Sequence, residues 1–248
     1  MILRRVIAHF RKQEWTAIAI DFLIVVIGVF VGLQVNNWND ARLERSREEL
    51  FLDYLAEDLN ADIGVIEGVI NSTNRRLSAL QTVIERVSGP LPKIVYGRSQ
   101  GTRVGSVEPY ESNGSEPIGV MLVFTEVVDG NRSAYETMIS TGAIGAFHDP
   151  NLARQIQEYY AGMDLIRRFE ERLLFFRNEL VTAEYGAGFS WVDGLTAEEI
   201  ALKAGGDGRL LSSMKGYWEF TARHRLLLLE IKQRAEELKA AIESEAAS

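Results

Sequence analysis

The chain has 248 residues and a formal net charge of -8, with 27 Lys and Arg against 35 Asp and Glu. That balance argues against nucleic acid as a partner, because phosphate recognition needs a basic surface. Cysteine is absent, which excludes disulfides and thiolate metal sites.

Residues 1–14 carry Arg4, Arg5, Arg11 and Lys12 against the single acid Glu14, with Ile2, Leu3, Val6, Ile7 and Phe10 at helical spacing. This pattern predicts a short basic amphipathic helix on the anionic cytoplasmic leaflet. Residues 16–35 follow as a near-continuous apolar run interrupted by one acid, Asp21. At about 1.5 Å rise per residue the run matches a hydrocarbon core of roughly 30 Å, so a transmembrane helix is expected over 15–38. Trp15 and Trp38 bracket it as interfacial aromatics, and Asn36, Asn37 and Asn39 mark the exit from lipid. The run is too long for a signal peptide and lacks small residues before a cut, so an uncleaved anchor is expected. The basic residues before the run outnumber those just after it (Arg42, Arg45, Arg47). The expectation is a cytoplasmic N-terminus, with the remainder on the far side of the membrane.

Within the span, Gly28 and Gly32 form a GxxxG pair, and Asp21, Val25, Gly28, Gly32 and Val35 share one helical face. Small residues let two backbones approach closely in lipid, and an intramembrane acid faces protein or water. The expected partners are the bilayer and either a second copy or another membrane protein.

After the span, the apolar sevens Leu52, Leu59, Ile66, Thr73, Leu80 and Val87 predict a helix running straight on from the membrane. A second row is read four residues on, at Ala56, Ile63, Ile70, Leu77 and Ile84. Gly89-Pro90 stops this helix. Residues 93–131 are punctuated by glycine and proline around short runs such as Ile94-Val95-Tyr96 and 118–124, and predict an irregular insertion with one short hairpin. Ser133 to Glu136 has capping-box spacing and opens a short helix. Asp149-Pro150 starts a long helix with sevens Leu152, Tyr159, Ile166, Leu173 and Leu180. Thr196 to Glu199 caps another short helix, and after the turn at 205–208 a last long helix carries the seam Met214, Tyr217, Thr221, His224, Leu228, Ile231, Ala235, Leu238 and Ile242. The expected fold is therefore all-α: one N-terminal transmembrane helix continuing into an extramembrane up-and-down bundle, 39–248, with coiled-coil-like packing and the irregular insertion.

Two blocks carry a resemblance. Gln34-Val-Asn-Asn-Trp-Asn39 with Tyr54-Leu-x-x-Asp58-Leu, and Ser133-Ala-Tyr-Glu-Thr-Met-Ile-Ser-Thr-Gly-Ala-Ile followed by Asn151 to Ile156 and Glu158-Tyr-Tyr160, resemble a family of bacterial single-span membrane proteins of unknown function. The family's Gly-Glu pair near the start of the span is Ile20-Asp21 here, which keeps the acid and drops the glycine. The resemblance implies location and architecture, and no catalytic residue.

Chemistry-bearing patterns are sparse. His9 belongs to the basic segment. His148-Asp149 is better read as a helix cap than as half of a metal site, and His224 as a hydrogen-bonded core histidine. Glu57, Asp58 and Asp62 read as a solvated helical face. No metal or other cofactor is expected. The expected function is a non-enzymatic structural or interaction protein associating through its span and bundle. The alternative is an extracytoplasmic ligand-sensing or accessory subunit acting through a partner membrane protein, favoured if Tyr159, Tyr160, Phe169, Phe175, Phe176, Tyr217 and Trp218 line one pocket. A reversed topology, with the bundle as a cytoplasmic scaffold, is the third reading.

Overall fold

A computed structural model describes residues 15–91, 95–96, 102–103 and 118–246. The basic segment 1–14, with Arg4, Arg5, Arg11 and Lys12, lies outside the described residues. The chain divides into two compact units, Met1–Leu50 and Phe51–Ser248. Helix α1 (Trp15–Ser88) contributes to both.

α1 ends where the sequence says it must. Gly89 takes φ 75°, its N–H donates to the carbonyl of Glu85 at 3.0 Å, and Pro90 follows. Only glycine takes that left-handed turn without a Cβ penalty. The expected hairpin is present as β1 (Val95–Tyr96) antiparallel to β2 (Thr102–Arg103), with Val95 opposite Arg103. The other apolar run of the insertion is not a strand: it forms helix α2 (Ile118–Val123), whose Ile118, Gly119, Met121, Leu122 and Val123 are buried. Helix α3 (Ser133–Thr141) begins one residue earlier than a capping box at Ser133 would require. Arg132 holds the cap position without a side-chain bond, and the Asn131 side chain accepts from the Ser133 N–H at 3.2 Å instead.

Helix α4 (Pro150–Gly186) is capped by Asp149, whose carboxylate accepts from the Asn151 N–H at 2.8 Å. A 3-10 turn, Trp191–Asp193, leads to helix α5 (Ala197–Gly206), which has the full Thr196–Glu199 capping box. Asp207 then caps helix α6 (Gly208–Ala246), accepting from the N–H groups of Arg209 and Leu210.

The second unit has two apolar clusters. Leu52 to Val69 of α1 packs with Leu152 to Ile166 of α4 and Leu228 to Ile242 of α6. Leu77 to Ile84 packs with Leu173 to Ala183, Leu210 to Ala222, α2 and α5. α1 and α4 therefore run in the same direction and α6 runs against both. Polar rungs repeat the antiparallel register in steps of seven: Arg225 to Asn74, Lys232 to Glu67, Lys239 to Asn60.

The α4 and α6 seams are as expected, with Leu152, Tyr159, Ile166, Leu173 and Leu180 buried, and all nine α6 positions from Met214 to Ile242 buried. The second row of α1 is different. Leu77 and Ile84 are buried as expected, but Ala56, Ile63 and Ile70 are half-buried, and the row buried throughout lies three residues after each seven, at Leu55, Asp62, Val69, Arg76 and Val83. Hydrophobicity favours the row four residues on, since the true row carries an acid and a guanidinium.

Two parallel helices need a return path, and the last part of it is extended. Residues 124–132 descend beside α1 from Arg76, which donates to the Phe124 carbonyl, to Asp62, which accepts from the Asn131 N–H. Fourteen helical residues rise about 21 Å, and seven extended residues cover about 23 Å.

Candidate functional site

Two features stand out, one in each unit. In the first unit the apolar run is bare. Val25, Val35 and Trp38 are 63%, 59% and 68% exposed, and a Cβ placed on Gly28 or Gly32 meets nothing within 4 Å among the described residues. At about 100° per residue Val25, Gly28, Gly32 and Val35 lie along one face of α1. Asn36, Asn37 and Asn39 are exposed, and Asn36 donates to Asp40 at 2.9 Å. The backbone places Trp15 and Asp21 in the helix; their side chains lie outside the described residues. One helix in the described chain, near the N-terminus, is long and apolar enough to cross a membrane.

In the second unit a buried polar layer separates the two apolar clusters. Ser72, Thr73 and Arg76 of α1, Glu170 of α4, and Thr221 and His224 of α6 are all buried, between Val69 and Leu77, Ile166 and Leu173, and Trp218 and Leu228 respectively. Arg76 is only 1% exposed. Its Nη1 donates to the Phe124 carbonyl at 2.8 Å and its Nη2 to Thr73 Oγ1 at 3.2 Å, and the guanidinium lies over the Tyr217 ring at 5.6 Å. Burial lowers its pKa, although Tyr217, Glu126 and Glu170 act against that. Glu170 Oε1 accepts from the Val128 N–H at 2.9 Å and sits 2.9 Å from His224 Nε2. The acceptor on Nε2 selects the Nε2–H tautomer of the neutral ring. Burial pushes the imidazole pKa down, and nearby Arg76 adds to this, while the hydrogen bond and charge of Glu170 oppose it.

Lower in the same groove, Asp62 is 2% exposed and accepts from the Asn131 N–H at 2.9 Å and the Tyr159 hydroxyl at 2.7 Å. Burial raises its carboxyl pKa against the pull of both hydrogen bonds. The solvated face expected for Glu57, Asp58 and Asp62 is thus corrected for Asp62, which points inward. Arg132 bonds Asp164 at 2.8 Å and covers Tyr135 and Tyr160, which stack with centroids 4.0 Å apart.

These charges sit at core positions because of the extended strap, residues 124–132. Extended backbone without a neighbouring strand must find hydrogen-bond partners elsewhere, and half-buried amides find them in side chains. Arg76, Glu170 and Asp62 supply them, joined by Arg177 Nε to the Val123 carbonyl and Tyr160 to the Asn131 carbonyl. Sequence reasoning passed over Arg76 and Glu170. The available signal was their spacing: Asp62 and Arg76 fall on the sevens of Leu55, Val69 and Val83, and Glu170 on those of Ile156 and Met163.

His224 is the hydrogen-bonded core histidine expected of it. Asp149 is a cap and His148 is exposed. Among the described residues no group of three or more His, Asp or Glu has the disposition of a metal site. The aromatic side chains considered for a pocket are divided: Tyr159 and Tyr160 belong to one apolar cluster, Tyr217 and Trp218 to the other, and Phe175 is 60% exposed. Phe169 and Phe176 instead stack on Phe220.

No curated protein and no solved structure matches the chain. A family model described as a family of unknown function (DUF6090) matches residues 21–88. The Gln34 to Asn39 motif and the Tyr54 to Leu59 block lie inside that range, and the Ser133 to Tyr160 block lies outside it. The matched residues 21–88 include most of the apolar run and the α1 side of the polar layer, and over them the chain is similar to this uncharacterised family.

Proposed function

We propose that this chain is a membrane-anchored, non-enzymatic interaction protein. In this reading the span holds it in the bacterial inner membrane, N-terminus inward, and the face of Asp21, Val25, Gly28, Gly32 and Val35 pairs with a second copy. The observation that supports it is the bare apolar run of α1, where neither glycine has a neighbour among the described residues to pack against. In lipid such a face gains by close backbone contact. The polar groups buried in the second unit support the non-enzymatic reading, since Arg76, Glu170 and Asp62 are engaged in holding backbone.

The test is in-cell photocrosslinking from Val29, in the unaltered chain and with Gly28→Leu and Gly32→Leu together. A crosslinked dimer of this chain that the double substitution diminishes at least fivefold is the expected result. Crosslinks to a different membrane protein would make the chain an accessory subunit and sink the self-pairing.

A further inference from the structure

We propose that residues 124–132 form a latch: the strap opens as a unit while the three long helices stay packed, and its opening brings Arg76, Glu170 and His224 into contact with solvent. The strap is seated by polar contacts: side chains of α1 and α4 hold its main chain, and its own Thr125, Asn131 and Arg132 side chains bond Tyr217, Asp58 and Asp164. Arg76 holds the Phe124 carbonyl, Glu170 the Val128 N–H, Asp62 the Asn131 N–H and Tyr160 the Asn131 carbonyl. Its apolar contribution is small. Phe124 and Val127 are 46% and 42% exposed, and Val128 is half-buried against one cluster.

The segments on either side are different in kind. Met121, Leu122 and Val123 before it and Met138 after it are buried in separate apolar clusters, and Ala134 is buried as well. The strap is therefore fixed at both ends by hydrophobic contacts and in the middle by polar ones. Releasing the middle disturbs little of either cluster. It also returns the Asp62 and Glu170 carboxyl groups to water, which recovers desolvation that closing imposes. Segments with few buried apolar contacts open locally, at lower free energy than the whole domain.

The experiment is hydrogen exchange with peptide-resolved mass spectrometry on the full chain in detergent, across a series of sub-denaturing urea concentrations. In the unaltered protein, amides of 125–131 are expected to exchange at least tenfold faster than those of 152–173 and 217–242, with no dependence on urea. Glu170→Met and Asp62→Leu keep side-chain bulk and remove an acceptor. Each is expected to accelerate exchange in the strap by roughly tenfold, the scale of one charged hydrogen bond, and to leave the helix cores within about twofold. The latch is overturned if strap and cores in the unaltered protein share one rate and one urea dependence, or if the substitutions accelerate both alike. Should either variant fail to fold, the urea dependence of the unaltered protein decides.

Discussion

Glu184 is the residue whose environment carries the sharpest consequence. It is 0% exposed and neither carboxyl oxygen has a hydrogen-bond partner among the described residues. Burial alone pushes its pKa from 4.5 up to about 7. The sign follows from proton counting: between these values the unfolded chain has released a proton that the folded chain still holds. The stability associated with Glu184 is full below pH 4.5 and is lost as pH rises through about 7. Glu184→Met removes this dependence. Urea unfolding of the variant and the unaltered protein at pH 5 and pH 8 is expected to show a gain for the variant at pH 8 that exceeds its gain at pH 5 by about 2 kcal/mol. Equal gains at both values would mean that the carboxyl is not desolvated. His224 acts in the opposite sense. Its folded-state pKa lies below 6.5, so the contribution of the neutral ring is lost as pH falls through and below that value.

At the scale of elements, the glycines of α1 and α2 separate backbone propensity from packing. Gly64 is exposed in the middle of α1 and an added Cβ meets nothing. Gly119 is buried in α2, and a Cβ there stands 3.1 Å from both the Cα and the carbonyl oxygen of Trp191. Backbone cannot move aside as a side-chain tip can. Gly64→Ala is expected to raise stability by about 0.5–1 kcal/mol through helix propensity, and Gly119→Ala to lower it by about 1–2 kcal/mol through overpacking. Thermal melting of the two variants checks both signs. The same contrast explains which elements could be read in advance. The α4 cap at Asp149, the α5 box at Thr196 and the whole α6 seam are local patterns, set by residues within one or two turns. The Ser133 box failed because Asn131, held by Asp58 and Asp62 across the groove, takes over the start of α3.

For the molecule as a whole, every residue of both apolar clusters lies after Leu50. The second unit therefore contains its own core, and in the first the described large apolar side chains, from Ile20 on, are exposed. A fragment of residues 51–248 is expected to unfold cooperatively on heating and to remain in the supernatant without detergent, whereas the full chain requires detergent. A fragment with helical circular dichroism but no cooperative transition would show that residues 1–50 are needed for the core. The apolar length of 16–35, the helix stop at Gly89-Pro90, the caps and the heptad sevens were decided by the sequence alone, because each depends on neighbours close along the chain. The direction of the helices, the extended strap and the inward turn of Asp62, Arg76 and Glu170 were decided only by tertiary structure. A charge at a core position is stabilised by a partner far away in sequence, here the backbone of 124–131, and no local pattern shows where that partner will come to rest.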